Sequence, residues 1–194
     1  MGTIVVFENV SLDGVTQDPT GEEGFCAVDW RAQLSPADRE AWADLVLDDV
    51  RGATALLLGR GSYEYFAARY PSRTGPMADR MNSLPKHVVS TTLADPSWSN
   101  STVLAGDVVP EVTKLKETVD GEIRVYASSR LVPLLLAHDL VDEIRLAVFP
   151  LAMGAGRSIF DQADGSRPLR PTPLRLVASR TVGESLLHLT YRRG

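Results

Sequence analysis

Cysteine is almost absent from this sequence, and its first residues lack the pattern of a secretory signal. The 194 residues contain one cysteine, Cys26, so no disulfide bond can form within the chain. A chain without an internal disulfide fits a reducing compartment. Residues 1–14 carry no basic segment followed by a long apolar stretch, so no signal peptide is predicted. We therefore expect a cytoplasmic protein.

Clustered basic residues and long apolar runs are also missing. The 20 Lys and Arg residues are outnumbered by 25 Asp and Glu residues, which gives a formal net charge of -5. Nucleic-acid binding needs clustered cations that neutralise phosphates, so nucleic acid is not an expected partner. No apolar run approaches the roughly 20 residues that a membrane-spanning helix needs, so a membrane is not expected either.

The spacing of metal-ligating residues gives no zinc pattern. His87, His138 and His188 are widely separated, and Cys26 is alone. Zinc sites combine closely spaced Cys and His ligands. No metal site is predicted.

The composition is that of an ordinary globular protein. Hydrophobic residues make up 44% of the chain and charged residues 23%, which is enough apolar material for a sizeable core. The chain shows no internal repeat, low-complexity segment or linker. We expect residues 1–194 to form a single domain.

Strand-like and helix-like segments alternate along the chain. Short apolar or β-branched runs predict strands at Thr3–Phe7, Thr54–Leu58, His87–Ser90, Thr102–Leu104, Ile123–Ala127 and Glu143–Leu151. Helical spacing or capping residues predict helices at Ser35–Gly52, Ser62–Tyr70, Met77–Leu84, Val108–Thr118 and Arg130–His138. Alternation of this kind predicts an α/β fold, with a mostly parallel sheet covered by helices. Leu174–Thr181 and Ser185–Arg192, separated by a turn at Gly183, add a C-terminal antiparallel hairpin.

The end of the second predicted strand contains more glycine than a turn needs. Three leucines lead into Gly59-Arg60-Gly61-Ser62, which enters a helix. In an open parallel sheet, ligands bind at the carboxyl ends of the strands. A helix N-terminus at that edge favours an anion, Arg60 adds a full charge, and Ser62 offers a cap or a phosphate ligand. The alternative is that Gly and Ser serve only as turn and cap residues.

Two further predicted strand ends are polar. They carry Ser90-Thr91-Thr92 and Ala127-Ser128-Ser129. Because the carboxyl ends of parallel strands lie at one edge of a sheet, the three polar ends together can hold a long anionic ligand such as a dinucleotide.

Four segments resemble one known family. They are LLLGRGSYEYF, MNSLPKHVVSTTL, NSTVLAGDVVPEVTKLKE and LVDEIRLAVFPLAMGAGRSIF, preceded by NVSLDG near the N-terminus. In this order and spacing they are similar to the dihydrofolate reductase-like family, above all to the group named for the reductase domain of the riboflavin-biosynthesis deaminase–reductase. The resemblance runs from Thr3 to Phe160. It implies a dihydrofolate reductase-like fold, NADPH as the cofactor, and hydride transfer to a small, flat, conjugated substrate.

The resemblance also implies roles for particular residues. The cofactor phosphates fall on Gly59, Arg60 and Ser62, the adenosine ribose and its 2′-phosphate fall near Ser90 and Thr91, and the segment along the cofactor falls on Ala127, Ser128 and Ser129. The chain departs from the family at Ala127, where glycine is usual. A Cβ there can crowd the pyrophosphate or disfavour an unusual backbone geometry. Weaker NADPH binding, a flavin or deazaflavin cofactor, and a non-catalytic binding role are the alternatives that this departure leaves open.

Two carboxylates are candidates for proton donation. Asp38 lies on the first predicted helix, where dihydrofolate reductases carry a carboxylate, but it also suits the helix start. Asp13 follows the first strand at the ligand-binding edge, but Asp-Gly is also ordinary turn sequence. Trp30, in the loop before the helix, is either a core residue or a stacking partner for a flat substrate.

The last predicted strand of the parallel part suggests self-association. In Glu143–Leu151, both faces are apolar beyond Leu146, so both must be covered. The helix Arg130–His138 can cover one face, and the hairpin or a second subunit must cover the rest. Related reductase domains pair, and twofold dimers are the commonest oligomers. We therefore expect a homodimer that uses the C-terminal half of the sheet.

Overall fold

The computed structural model describes residues 1–161 and 173–194, and one continuous sheet runs through them. Its strands are β1 (Thr3–Val10), β2 (Ala53–Gly59), β3 (Lys86–Val89), β4 (Ser101–Leu104), β5 (Glu122–Tyr126), β6 (Glu143–Val148), β7 (Leu174–Val182) and β8 (Leu186–Arg193). The helices are α1 (Pro36–Gly52), α2 (Arg60–Ala67), α3 (Pro76–Ser83), α4 (Val108–Thr118) and α5 (Leu131–Ala137), with a short 3₁₀ helix at Trp30–Gln33.

The strand order is β4-β3-β2-β5-β1-β6-β8-β7. The first six strands of this order are parallel to their neighbours, and β8 and β7 are antiparallel. The carboxyl ends of β1, β2 and β5 therefore lie side by side in the middle of one edge. The predicted fold, a mostly parallel α/β sheet with a C-terminal antiparallel hairpin, is confirmed.

Side chains from alternate positions of the strands form two cores, one on each face of the sheet. On β1, Phe7 belongs to the core beneath α1, whereas Ile4 and Val6 belong to the core beneath α4 and α5. The helix α5 is apolar on most sides because it packs into this second core through Leu131, Val132, Leu135 and Leu136.

The strand β6 ends three residues earlier than predicted. After Val148 the chain turns so that the Phe149 N–H donates to the Val10 carbonyl at 2.8 Å. Pro150 cannot donate a ladder hydrogen bond, which favours this end of the strand. The Phe149 ring packs against Trp30 and Trp42, with ring centroids 5.7 and 6.2 Å apart. One apolar face of this region is therefore covered by the chain itself and needs no second subunit.

In the part of the chain that the structure describes, no helix is both long and apolar enough to cross a membrane. The longest, α1, is capped at Ser35, whose Oγ accepts a hydrogen bond from the Asp38 N–H at 3.1 Å. Pro36 occupies its first turn, as the sequence predicts.

Candidate functional site

A cleft of about 970 Å³ opens at the carboxyl edge of the sheet. This volume is at the upper end of the range for small-molecule and cofactor sites. Its floor is made by the ends of the three central strands, namely Phe7 to Asn9, Gly59 to Ser62 and Tyr126 to Arg130. Its far wall comes from α1, α2 and the loop before the 3₁₀ helix, through Gln17, Asp18, Trp42, Val46, Phe66, Tyr70 and other residues.

The two glycines at the end of β2 both have room for a side chain. The helix α2 begins at Arg60, directly after β2 ends at Gly59, so the first-turn N–H groups of the helix lie at the cleft without intrahelical partners. A Cβ added at Gly61 would meet nothing within 4 Å, and one added at Gly59 would make only ordinary contacts. Packing within the protein therefore does not require glycine at either position, whereas close approach by an anion would favour it.

Ser62 and Ser128 join the ends of β2 and β5. The Ser128 N–H donates to the Ser62 Oγ at 2.8 Å, and the Gly59 N–H donates to the Ser128 Oγ at 3.1 Å. The Ser128 hydroxyl also lies 3.2 Å from the Ser62 hydroxyl. These contacts hold the helix N-terminus and the segment after β5 in one rigid unit beside the cleft.

The segment after β5 has an unusual backbone. Ala127 and Ser128 have φ values of 52° and 68°, in the left-handed region that glycine adopts most easily. Both residues line the cleft, as does Ser129. The chain therefore keeps a backbone shape suited to glycine while it carries side chains at both positions.

Arg60 connects α2 to the turn after β3. Its guanidinium pairs with Glu64 at 2.7 Å and donates a second hydrogen bond to the Thr92 hydroxyl. About half of the Arg60 side chain is exposed, and the residue lines the cleft. The Ser90 hydroxyl accepts from the Thr92 and Leu93 N–H groups at 3.2 and 3.0 Å and so shapes this turn. Ser90 and Thr91 do not line the cleft.

Asp13 anchors a loop and does not line the cleft. Its carboxylate accepts hydrogen bonds from the Ser11 hydroxyl at 2.6 Å and from the N–H groups of Met153 and Gly154. These bonds, the Ser11 hydroxyl first, lower the pKa of Asp13 to about 2. A carboxylate that stays ionised at neutral pH is a poor proton donor. The geometry therefore favours the turn role that was the alternative for Asp13.

Asp38 is hydrogen-bonded to the turn of the C-terminal hairpin. Its carboxylate accepts from the Ser185 hydroxyl at 2.6 Å and from the Glu184 N–H at 2.6 Å. The Ser185 hydroxyl is the main cause of a lowered pKa for Asp38. A Cβ at Gly183, which has φ 63°, would collide with the Asp38 Oδ1, so this turn needs glycine. Asp38 is buried and does not line the cleft, so the geometry favours the structural role that was the alternative for Asp38.

Trp42, rather than Trp30, is the tryptophan at the cleft. Trp30 is fully buried in the core. Trp42 lines the cleft and donates from its Nε1 to the Asn9 Oδ1 at 3.0 Å. The helical spacing of Trp42 with Leu45 and Val46 predicts an inward face for this residue, but not that the face reaches beyond the core to a cavity.

An aromatic and cationic wall closes the side of the cleft next to α2. Tyr65 and Tyr70 line it, with the Arg69 guanidinium 3.6 Å from the Tyr65 ring centroid. Arg69 also pairs with Glu22 of the facing loop at 2.5 Å. Asp18 shapes that loop, because its carboxylate accepts from three backbone N–H groups between residues 23 and 26. The ion pair between Arg69 and Glu22 thus joins the loop to the wall.

Glu8 is a cleft residue that sequence reasoning missed. It is buried, with 7% of its surface exposed, and it lines the cleft from β1. Desolvation by burial raises its pKa well above the ordinary value. The position of Glu8 in the strand could have identified it from the sequence. In TIVVFENV, side chains alternate between the two faces, so Glu8 shares a face with Ile4 and Val6. An acid in that register is unusual and marks a candidate site.

The described residues contain no group of three or more His, Cys, Asp or Glu side chains that could hold a metal ion. Of the ten residues predicted for the site, the structure brings six to the cleft, namely Gly59, Arg60, Ser62, Ala127, Ser128 and Ser129. Asp13, Asp38, Ser90 and Thr91 are outside its lining.

Comparison with known proteins agrees with this architecture. The family model described as the RibD C-terminal domain matches residues 2–188. Among curated proteins, the uncharacterised protein YyaP of Bacillus subtilis (strain 168) is 25% identical over 189 residues, which cover 94% of this chain and 90% of that protein.

Solved structures share the fold over nearly the whole chain. A Shewanella sp. PV-4 protein, solved as a candidate riboflavin biosynthesis protein, superposes with a TM-score of 0.74 at 21% identity and covers 99% of both chains. Dihydrofolate reductase from Enterococcus faecalis, solved with NADP(H) and a second ligand, superposes with a TM-score of 0.61 at 16% identity, over 99% of this chain and 96% of that one. At these identities the superpositions establish the fold.

Proposed function

The chain belongs to the RibD C-terminal domain family, and we propose that it is an NADPH-dependent reductase of a small, flat, conjugated heterocycle of the pyrimidine or pterin type. Its relatives in structure include a dihydrofolate reductase solved with NADP(H). The cleft is large enough for a dinucleotide and a small substrate together.

The observation that carries this proposal is the joined pair of strand ends. The first turn of α2 at Arg60–Ser62 presents N–H groups without intrahelical partners, and hydrogen bonds from Gly59 and Ser128 fix it to the end of β5. Such an arrangement favours a pyrophosphate, because the helix dipole and the N–H groups both act on the negative charge. Arg60 adds a cation at the same place, and Ser129 also lines the cleft.

The other parts of the cofactor would lie along the cleft, on either side of the phosphates. Arg60 donates to the Thr92 hydroxyl, so an adenosine 2′-phosphate that extends past Arg60 would approach Ser90 and Thr91. Ala127 lies on the other side, towards β1. Bound NADPH would supply the hydride, and the chain's own groups would position the two reactants and exclude water.

The substrate half of the cleft is suited to a flat ring. Trp42, Phe66 and Tyr70 line it, and the Asn9 side chain is held by Trp42. Aromatic side chains bind flat conjugated rings by stacking and by burying apolar surface. Arg157, which also lines this part, adds a cation at its rim. Asp13 and Asp38 take no part in this proposal except as anchors of neighbouring segments.

Replacing Arg60 tests the cofactor assignment. We expect Arg60→Ala to weaken NADPH binding by roughly 1.5–3 kcal/mol in calorimetry, because a charge-assisted hydrogen bond to phosphate is lost. Arg51→Ala is the matched control: Arg51 is also an exposed arginine paired with one carboxylate, Asp48, but it lies at the end of α1 and outside the cleft. Equal affinities for the native chain and the Arg60 variant, with both folded, would remove Arg60 from the site.

We also propose that the chain forms a homodimer through one face of β6, β8 and β7. Paired residues of these strands, Leu146 with Leu189 and Val148 with Leu187, put apolar side chains on one face. Leu187 is 42% exposed, and Leu176 of β7 is 49% exposed. Large apolar side chains exposed together on a sheet face are typical of an interface.

A further inference from the structure

Glu8 lies near the carboxyl end of β1, in the floor of the cleft. It follows Phe7, which pairs with Tyr126 at the end of β5, and it pairs with Leu146 of β6 on the other side. The strand β1 is thus flanked at Glu8 by the segment that begins with Ala127. Glu8 therefore lines the cleft from the end of β1, on the face of the sheet that carries Ile4 and Val6.

No described residue satisfies one oxygen of the Glu8 carboxyl group. Its Oε1 is buried without a hydrogen-bond partner among the described residues, and none of their ion pairs includes Glu8. Its face of β1 belongs to an apolar core that contains Ile4 and Val6. A buried carboxyl without a cation favours the neutral acid, and burial raises the pKa of Glu8 in the same direction.

The other buried acids that the structure describes all have partners. Asp49 accepts from the Tyr126 hydroxyl at 2.7 Å and pairs with Arg145 at 2.8 Å. Asp38 and Asp18 each accept at least three hydrogen bonds. Glu8 is different because it opens onto a cleft, and an unsatisfied buried polar group is costly unless a ligand completes it.

We propose that Glu8 is a ligand-binding residue that pairs with an amide-type edge, an N–H beside a C=O, on a molecule bound in the cleft. A neutral carboxyl presents an O–H donor next to a C=O acceptor, so it complements such an edge with two parallel hydrogen bonds. This inference rests on the proposed function. Two parts of the bound molecules carry that chemistry: the carboxamide of a nicotinamide, and the lactam edge of a pyrimidine or pterin.

Two substitutions separate this role from a structural one. Glu8→Gln keeps a donor beside an acceptor and can never ionise, whereas Glu8→Leu has a similar size and offers neither. Binding would be measured by calorimetry for three probes: NADP⁺, 2′-phosphoadenosine diphosphate ribose, which lacks the nicotinamide, and pterin, which carries a lactam edge. Thermal unfolding would show that both variants are folded, as expected for Leu in an apolar core.

Each source of the amide edge predicts its own pattern. If Glu8 binds the nicotinamide, Glu8→Leu weakens NADP⁺ by roughly tenfold or more and leaves the nicotinamide-free probe unchanged. If Glu8 binds the substrate, the same variant weakens pterin by a similar factor and leaves both nucleotides unchanged. In either case Glu8→Gln stays within about threefold of the native affinity.

Two results would overturn the assignment of Glu8. One is native affinity of Glu8→Leu for all three probes, and the other is an equal loss in the Gln and Leu variants, which would mean that a negative charge is needed. A native chain that binds pterin but neither nucleotide would refute the proposed cofactor and still test Glu8. A native chain that binds none of the probes would refute both.

Discussion

Ala127 and Ser128 hold a backbone conformation that costs L-residues about 1–2 kcal/mol each relative to the right-handed region. The hydrogen bonds between Ser128 and both Gly59 and Ser62 offset part of this cost, because they need Ser128 in that orientation. Ala127 makes no comparable side-chain contact and lines the cleft. Strain kept at a cleft residue is typical of a functional segment.

Ala127→Gly should both stabilise the protein and tighten NADPH binding. Glycine removes the left-handed penalty but gains entropy in the unfolded chain, so a net gain of roughly 0.5–1 kcal/mol in the free energy of unfolding is expected. Loss of the Cβ would also allow closer approach by the pyrophosphate. Urea unfolding and calorimetry would measure the two effects. Equal or weaker NADPH binding by the glycine variant would show that the Cβ does not limit the cofactor.

Glu8 should make the stability of the native chain fall as the pH rises. Its pKa is raised by burial above the ordinary value of 4.5, so above about pH 4.5 the folded state keeps a proton that the unfolded state has lost. Stability therefore decreases with pH up to the folded pKa, by at most about 1.4 kcal/mol per pH unit. Glu8→Gln lacks this effect, so its stability advantage over the native chain should grow from pH 4.5 upwards in urea unfolding. A constant difference from pH 4.5 to pH 8 would show that Glu8 ionises normally.

At the scale of elements, a buried ionic cluster attaches α1 to the central strands. Asp49 of α1 pairs with Arg124 of β5 at 3.1 Å and with Arg145 of β6 at 2.8 Å, and it accepts from the Tyr126 hydroxyl. Arg124 is fully buried. This cluster holds the helix that carries Trp42 against the strands that carry the cleft floor.

Removing the carboxylate of Asp49 should strongly destabilise the protein. Asp49→Ala removes one of the two carboxylates that Arg124 and Arg145 share, the other being Glu122. It also leaves the Tyr126 hydroxyl without its acceptor, and together these losses cost roughly 3 kcal/mol. Asp48→Ala is the control, because Asp48 is the sequence neighbour of Asp49 and pairs with Arg51 on the surface. Loss of this exposed pair should cost no more than about 1 kcal/mol. Denaturant unfolding of the three proteins would measure both values. Similar losses in the free energy of unfolding for the two variants would mean that the buried ionic cluster stabilises the protein no more than a surface ion pair does.

The elements could be predicted from the sequence because their signals are local. The Ser35-Pro36 start of α1, the strand before Gly59 and the turn at Gly183 each depend on neighbouring residues. The partners of Asp13 and Asp38 are distant, with Met153 and Ser185 about 140 residues away in sequence. The role of a carboxylate is set by such long-range contacts, so sequence position alone left both Asp13 and Asp38 open as a proton donor or a structural residue, and their contacts favour the structural role.

At the scale of the whole molecule, the uncovered apolar face is narrower than the sequence suggests. Phe149 is buried under Trp30 and Trp42, and Ile144 is buried in the core beneath α5. Among residues 1–161 and 173–194, the apolar face still exposed is that of β6, β8 and β7 which carries Leu187 and Leu176. The edge strand β7 is exposed along most of its nine residues, and long exposed edges are usually protected in native proteins.

A charge on this face should separate the proposed dimer. We expect the native chain to have twice the monomer mass in light scattering, and Leu187→Asp to have the monomer mass while keeping the native circular dichroism spectrum. Leu12→Asp is the control, since Leu12 is 68% exposed but lies in the loop after β1. A monomer mass for the native chain over a wide concentration range would contradict the dimer.

The central claim is that the cleft at the ends of β1, β2 and β5 is an NADPH site, and a calorimetric titration of the native chain with NADPH tests it most directly. The account predicts saturable binding of one NADPH per chain, tighter than for NADH because the 2′-phosphate adds a charged contact. The absorbance spectrum of the purified protein would be recorded first, since a retained flavin would be visible there. No heat of binding from NADPH, or a flavin already held by the protein, would contradict the claim.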